Sequence, residues 1–147
     1  MIEATRDYDL AVIGAGAGGL IASRFAARLG ARVALVERDR IGGDCTWTGC
    51  VPSKSLIRAA KAAHEIRTAQ RFGIADGTCN VRMADVRAYI QSKVQQIYEP
   101  TAPEALRREG IDVVMGPAAF VDAHTLRAGD HTVRADHFLI VTLPRGN

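Results

Sequence analysis

The segment Gly14-Ala15-Gly16-Ala17-Gly18-Gly19 limits what this chain can fold into more than any other, because of what stands on either side of it. Before it, Asp9 to Ile13 is a short apolar run of the buried-strand kind; after it, Leu20 to Leu29 is alanine-rich and helical in character. Strand, glycine turn and helix in that order are the signature of a dinucleotide-binding βαβ unit. Gly14 permits the tight turn, Gly16 lets the backbone approach a pyrophosphate, and Gly19 lets the helix pack closely on the strand. The free N–H groups at the helix start are suited to phosphate charge. Arg32 to Val36 then reads as a second parallel strand with Glu37 at its carboxyl end. An acid there accepts hydrogen bonds from ribose hydroxyls and repels a 2′-phosphate. The plainer alternative is a glycine-rich turn in an ordinary α/β protein, and the acid at the right distance weighs against it.

Downstream, Gly42-Gly43-Asp44-Cys45-Thr46-Trp47-Thr48-Gly49-Cys50-Val51-Pro52-Ser53-Lys54 holds two cysteines with four residues between them. A regular helix would put their α-carbons roughly 8 to 9 Å apart. A disulfide needs about 4.4 to 6.8 Å, so the stretch from Thr46 to Gly49 must bulge or turn, and Gly49 makes that inexpensive. Cys50 stands just before Val51-Pro52, where proline suits the first turn of the helix that follows. The positive end of that helix favours a nucleophilic thiolate. Two unpaired thiols, or half of a metal site, are the alternatives, although chelation usually wants closer pairs and a second pair or histidines. His64, His124, His131 and His137 form no ligand spacing, so no metal site is expected, and Cys79 reads as a passive thiol.

On these residues the chain resembles the amino-terminal FAD-binding part of the class I pyridine nucleotide-disulfide oxidoreductases, a family with lipoamide, glutathione and mercuric branches. Residues 42–54 match the family's redox segment except at Asp44, which replaces a threonine, and in Thr46-Trp47-Thr48. The ending Pro52-Ser53-Lys54 is closer to the lipoamide and mercuric branches. The resemblance implies an α/β, Rossmann-like FAD-binding domain spanning residues 1–147, with a parallel sheet and a small antiparallel β-meander. It implies FAD as cofactor and NAD(P)H in full-length members, with electrons passing from NAD(P)H to FAD, to the Cys45–Cys50 pair, and on to a small-molecule disulfide or Hg(II). Cys50 would be the thiolate nearest the flavin and Cys45 the interchange thiol. Lys54 would lie near the flavin N5 and Glu37 on the adenosine ribose. Gly14, Gly16, Gly18, Gly19, Arg38, Gly42, Gly43, Asp44, Gly116, Ala118 and Thr142 complete the implied cofactor contacts, Gly116 and Ala118 through their backbone at the adenine end.

Beyond the cysteines, Ser55 to Arg71 carries an apolar stripe at Leu56, Ile57, Ala60, Ala63, Ile66 and Ala69, which predicts a long helix packed on one face. A second helix is expected from Met83 to Tyr98 and a short one from Glu104 to Glu109, ended by Gly110. Ile111–Met115, Ala119–Val121, Thr125–Arg127 and Thr132–Arg134 read as short strands with turns at Gly116-Pro117 and Gly129-Asp130, and Asp136 to Thr142 as a buried parallel strand. The family closes that strand with Ala-Thr-Gly; here only Thr142 remains, followed by Leu143-Pro144-Arg145-Gly146-Asn147. The expectation is therefore a domain incomplete at its carboxyl end. The NAD(P)H domain and the dimerisation domain of the homodimeric family have no room in it, so the chain alone is expected not to turn over. A vestigial nucleotide-binding module is the alternative.

Composition fits one soluble domain. With 147 residues, 48% hydrophobic and 24% charged, the chain can bury one core. No apolar run is long enough to span a membrane and Met1 to Asp9 lacks a signal core, so the cytoplasm is the expected location. Its 19 basic and 16 acidic residues are dispersed and aromatics are 5%, which speaks against nucleic acid.

Overall fold

A computed structural model describes residues 6–74 and 78–142. The ending Leu143–Asn147 and the start of the Met1–Asp9 segment lie outside the described residues. The chain forms two compact units, residues 1–43 with 98–147, and residues 44–97.

In the first unit, β1 (Arg6–Ile13) leads through the glycine turn into α1 (Ala17–Arg28) and then β2 (Val33–Glu37). After α5 (Pro103–Arg108) come β3 (Ile111–Met115), β4 (Ala118–Asp122), β5 (Thr125–Ala128) and β6 (His131–Ile140). The sheet order is β3-β2-β1-β6-β5-β4. β1 runs parallel to β2 and β6, and β2 parallel to β3, while β4–β5 and β5–β6 are antiparallel. The parallel strands carry the continuous apolar runs that burial on both faces demands: Val33, Ala34, Leu35 and Val36 are all buried. On one face Val12, Val33, Leu35, Ile111 and Val113 pack with Leu20 of α1 and Leu106 of α5. On the other, Ala11, Ala34 and Val36 meet Leu126, Ala128, Val133 and Ala135. Only Gly116 and Pro117 separate β3 from β4, the two outermost strands of the order. The meander therefore folds back over the parallel strands instead of extending them flat.

Two expectations about β6 need correction. Thr132–Arg134 and Asp136–Thr142 are not separate strands but one, paired with β5 through residues 131–134 and with β1 from Arg6↔Val133 to Ile13↔Ile140. Its second half is parallel as expected but not buried, with Leu139 37% and Ile140 61% exposed. The cause is topological: β5 leaves β6 at Arg134, so beyond it the strand has β1 on one side alone among the described residues.

The second unit is helical, with α2 (Gly43–Trp47) leading into it, then α3 (Cys50–Arg67), a 3-10 turn over Ala69–Phe72, and α4 (Met83–Tyr98), which ends where the first unit resumes. The predicted long helix thus breaks at Thr68 and starts earlier, at Cys50. Its apolar stripe is not packed as expected: Leu56, Ile57 and Ile66 are exposed, and Ser55 is the buried residue on α3.

Candidate functional site

Main-chain hydrogen bonds lock the carboxyl ends of the parallel strands together. Gly14 N–H donates to the Val36 carbonyl (2.8 Å), Gly116 N–H to that of Glu37 (2.8 Å), Gly42 N–H to that of Ala15 (2.8 Å) and Val141 N–H to that of Ile13 (3.0 Å). In open α/β sheets ligands bind outside these strand ends. The predicted residues Gly14, Gly16, Gly18, Gly19, Glu37, Gly42, Gly43, Gly116 and Thr142 all fall there. A methyl group on Gly19 would overlap the Gly14 carbonyl oxygen, so only glycine lets α1 start this close to β1. Gly14 (φ 105°) faces Thr142, whose methyl carbon lies 3.0 Å from where a Cβ would be, and Gly43 lies against the Gly16 backbone. Gly18 faces the Val141 side chain. Gly16 differs from all of these: nothing lies within 4 Å of its Cβ position. It is also the N-cap of α1, with no side chain capping it. An open approach to backbone at the start of a twelve-residue helix is what a pyrophosphate needs.

Beside this opening stands the Glu37 carboxylate. Its Oε2 accepts from the Ala15 N–H at 2.7 Å and its Oε1 from the Asp39 N–H at 2.9 Å.

In the second unit the expected turn between the cysteines is present. The Asp44 carbonyl accepts from both Thr48 N–H (2.9 Å) and Gly49 N–H (2.6 Å), so the chain widens after α2 before α3 begins at Cys50. A Cβ on Gly49 would lie 2.9 Å from that same carbonyl oxygen. Cys45 lies in α2 before this turn and Cys50 opens α3 after it. Both cysteines are free thiols, and the Cys45 thiol is pushed above its ordinary range, first by its hydrogen bond to the Cys50 side chain, then by desolvation and by charge on Cys50. The Cys50 backbone N–H and the Lys54 ammonium pull the other way and do not prevail. Lys54 stands one turn after Cys50 on α3, exposed.

Residues 8–142 match the family described as "Pyridine nucleotide-disulphide oxidoreductase". The chain belongs to that family. A glutathione reductase of Nostoc sp. is 36% identical over 92% of this chain and 29% of its own length. A mercuric reductase of Streptomyces lividans is 38% identical over 97% of this chain and 31% of its own length. Dihydrolipoyl dehydrogenase 2 of Haloarcula marismortui is 36% identical over 95% and 31%. The chain thus spans about 29–31% of the length of these curated relatives.

Of the other residues expected at the cofactor, Arg38 and Asp44 are exposed, and Ala118 opens β4, paired with Ala128 and exposed. A surface hollow of about 420 Å³ lined by Arg24, Arg28 and Glu109 lies towards the carboxyl end of α1, away from the glycine turn. Its Arg24 and Glu109 are consumed by a bidentate ion pair (2.8 and 2.9 Å). The sequence reading missed the Ala15 and Asp39 N–H groups; they act through the backbone, so residue type carries no signal of them. Among the described residues no helix is long and apolar enough to cross a membrane, and no cluster of His, Cys, Asp or Glu could hold a metal.

Proposed function

We propose that residues 1–147 form the FAD-binding, redox-dithiol portion of an NAD(P)H-dependent oxidoreductase that reduces a small-molecule disulfide or Hg(II), working in the cytoplasm as part of a homodimer. The observation that carries this reading is the widened turn between the free thiols Cys45 and Cys50, where the Asp44 carbonyl accepts from both Thr48 N–H and Gly49 N–H. A glycine turn is common to many dinucleotide-binding proteins, whereas two thiols on either side of a widened turn are suited to reversible disulfide chemistry.

The open backbone at Gly16 and the N-terminus of α1 would receive the FAD pyrophosphate, and Glu37 the adenosine ribose. Bound FAD supplies two-electron transfer between NAD(P)H and the cysteine pair. The residues of the chain do the rest. Cys45, as thiolate, attacks one sulfur of the substrate disulfide, forming a mixed disulfide and releasing one substrate thiol. Cys50 then attacks the Cys45 sulfur, closing the Cys45–Cys50 disulfide and releasing the second. Cys45 gives its proton up to the first departing substrate thiolate and Cys50 its own to the second, so the cysteines end as a disulfide and the substrate as two thiols. Asp44 stands where the resembling redox segment has threonine, and an acid there requires a different partner or a slightly shifted loop. The names of the relatives favour no one acceptor, since glutathione, mercuric and dihydrolipoyl enzymes match at 36–38% identity.

Retention of FAD through gel filtration tests the cofactor half. The reading predicts flavin that co-elutes with the wild-type chain and is lost in Gly16→Val, whose side chain fills the open approach. Equal retention by both would remove the glycine turn from cofactor binding.

A further inference from the structure

The Glu37 carboxylate has more to do than meet a ribose. It sits at the end of β2, yet both of its oxygens already accept backbone N–H groups, Ala15 at 2.7 Å and Asp39 at 2.9 Å. Ala15 is fully buried in the middle of the glycine turn. Its other backbone group is also held, its carbonyl accepting from Gly42 N–H at 2.8 Å. The turn of residues 14–19 and the turn of residues 38–43 are therefore tied to each other through one residue, and one of the two ties is a side chain. A carboxylate offers about four lone-pair sites. With one per oxygen in use, one per oxygen is left, which is the number a vicinal diol requires.

We propose that Glu37 is a positioning residue that fixes the glycine turn before any dinucleotide arrives, and that it shares its carboxylate between the turn and the ribose diol. A turn ordered in advance lowers what binding must spend on ordering it. The ligand half of this inference rests on the FAD reading; the clamp on Ala15 does not.

Three measurements on the full chain test it. Without ligand, NMR should detect coupling across the hydrogen bond from the Ala15 amide nitrogen to the Glu37 Cδ. In Glu37→Gln the amide nitrogen cannot accept, so one backbone N–H must lose its partner. Exchange of either the Ala15 or the Asp39 amide, whichever faces the glutamine NH2, should then speed up by about tenfold or more, the scale of one charge-assisted hydrogen bond, with Val12 and Val36 unchanged. Calorimetry should show that the wild type prefers ADP to 2′,3′-dideoxy-ADP and that Glu37→Gln loses the preference. Absent coupling overturns the clamp, even where the variant fails to fold, and so does a folded variant in which neither the Ala15 nor the Asp39 amide changes. A wild type indifferent to the diol overturns the sharing. A chain that shows the clamp but binds neither FAD nor ADP retains the clamp and refutes the FAD reading instead.

Discussion

Gly19 packs so closely on Gly14 that a Cβ at residue 19 would occupy the position of the Gly14 carbonyl oxygen. The obstacle is backbone and not the tip of a flexible side chain, so the start of α1 must move to admit even a methyl group. Gly19→Ala should lower unfolding free energy by about 3 kcal/mol, the upper part of the overpacking range, measured by urea denaturation. A loss below about 0.5 kcal/mol, the scale of neutral surface changes, would show that the turn yields freely.

The cysteine pair makes a prediction about pH. The Cys45 thiol is raised mainly by its hydrogen bond to Cys50, so the neutral form is favoured and the thiolate appears only at higher pH than for an ordinary thiol. Cys50→Ala removes that bond, and the Cys45 midpoint should fall towards the ordinary range. The rate of Cys45 alkylation followed against pH, with Cys79 replaced by serine, reads this directly. A midpoint that does not move, or rises, would mean that the sulfurs do not interact.

Arg24 joins α1 to the segment before β3, pairing with both oxygens of Glu109 and donating to the Pro100 carbonyl. The pair is partly exposed, with side chains 26% and 35% accessible, so solvent screens it. A double-mutant cycle of Arg24→Ala and Glu109→Gln should give a coupling of about 0.5–1 kcal/mol, the upper range for exposed pairs, and smaller at high salt. Zero coupling at low salt would contradict this geometry.

The two halves of the meander layer should respond differently to truncation. Leu126 is fully buried against the parallel strands, and Leu126→Ala should cost about 2–5 kcal/mol. Ile140 is 61% exposed at the end of β6, and Ile140→Ala should cost less than about 1 kcal/mol. Equal losses in thermal or urea unfolding would mean that the second half of β6 is covered.

Much of this was legible in the chain. The order of strand, glycine turn, helix and strand with Glu37 at its end fixes the parallel core, because glycine positions and apolar runs report local geometry directly. The widened turn between Cys45 and Cys50 followed from the distance a disulfide permits and from Gly49. Two things were not legible. The run from Phe138 to Val141 has the composition of a strand buried on both faces, and what leaves Leu139 and Ile140 open is the departure of β5, a long-range pairing that local sequence does not record. The stripe on α3 has helical spacing, but spacing does not say what stands opposite, and Leu56, Ile57 and Ile66 are exposed. The Glu37 clamp escaped for a different reason: it uses N–H groups that every residue except proline has.

A flavin held by this chain should exchange electrons with Cys45 and Cys50. The most direct test is anaerobic photoreduction of FAD bound to the oxidised chain, followed by a thiol count on the denatured protein. Of the three cysteines, Cys79 is the background thiol. Reducing the flavin should free both thiols of the Cys45–Cys50 disulfide, and Cys45→Ser and Cys50→Ser should gain none. A flavin that is fully reduced while the disulfide stays closed would contradict that exchange.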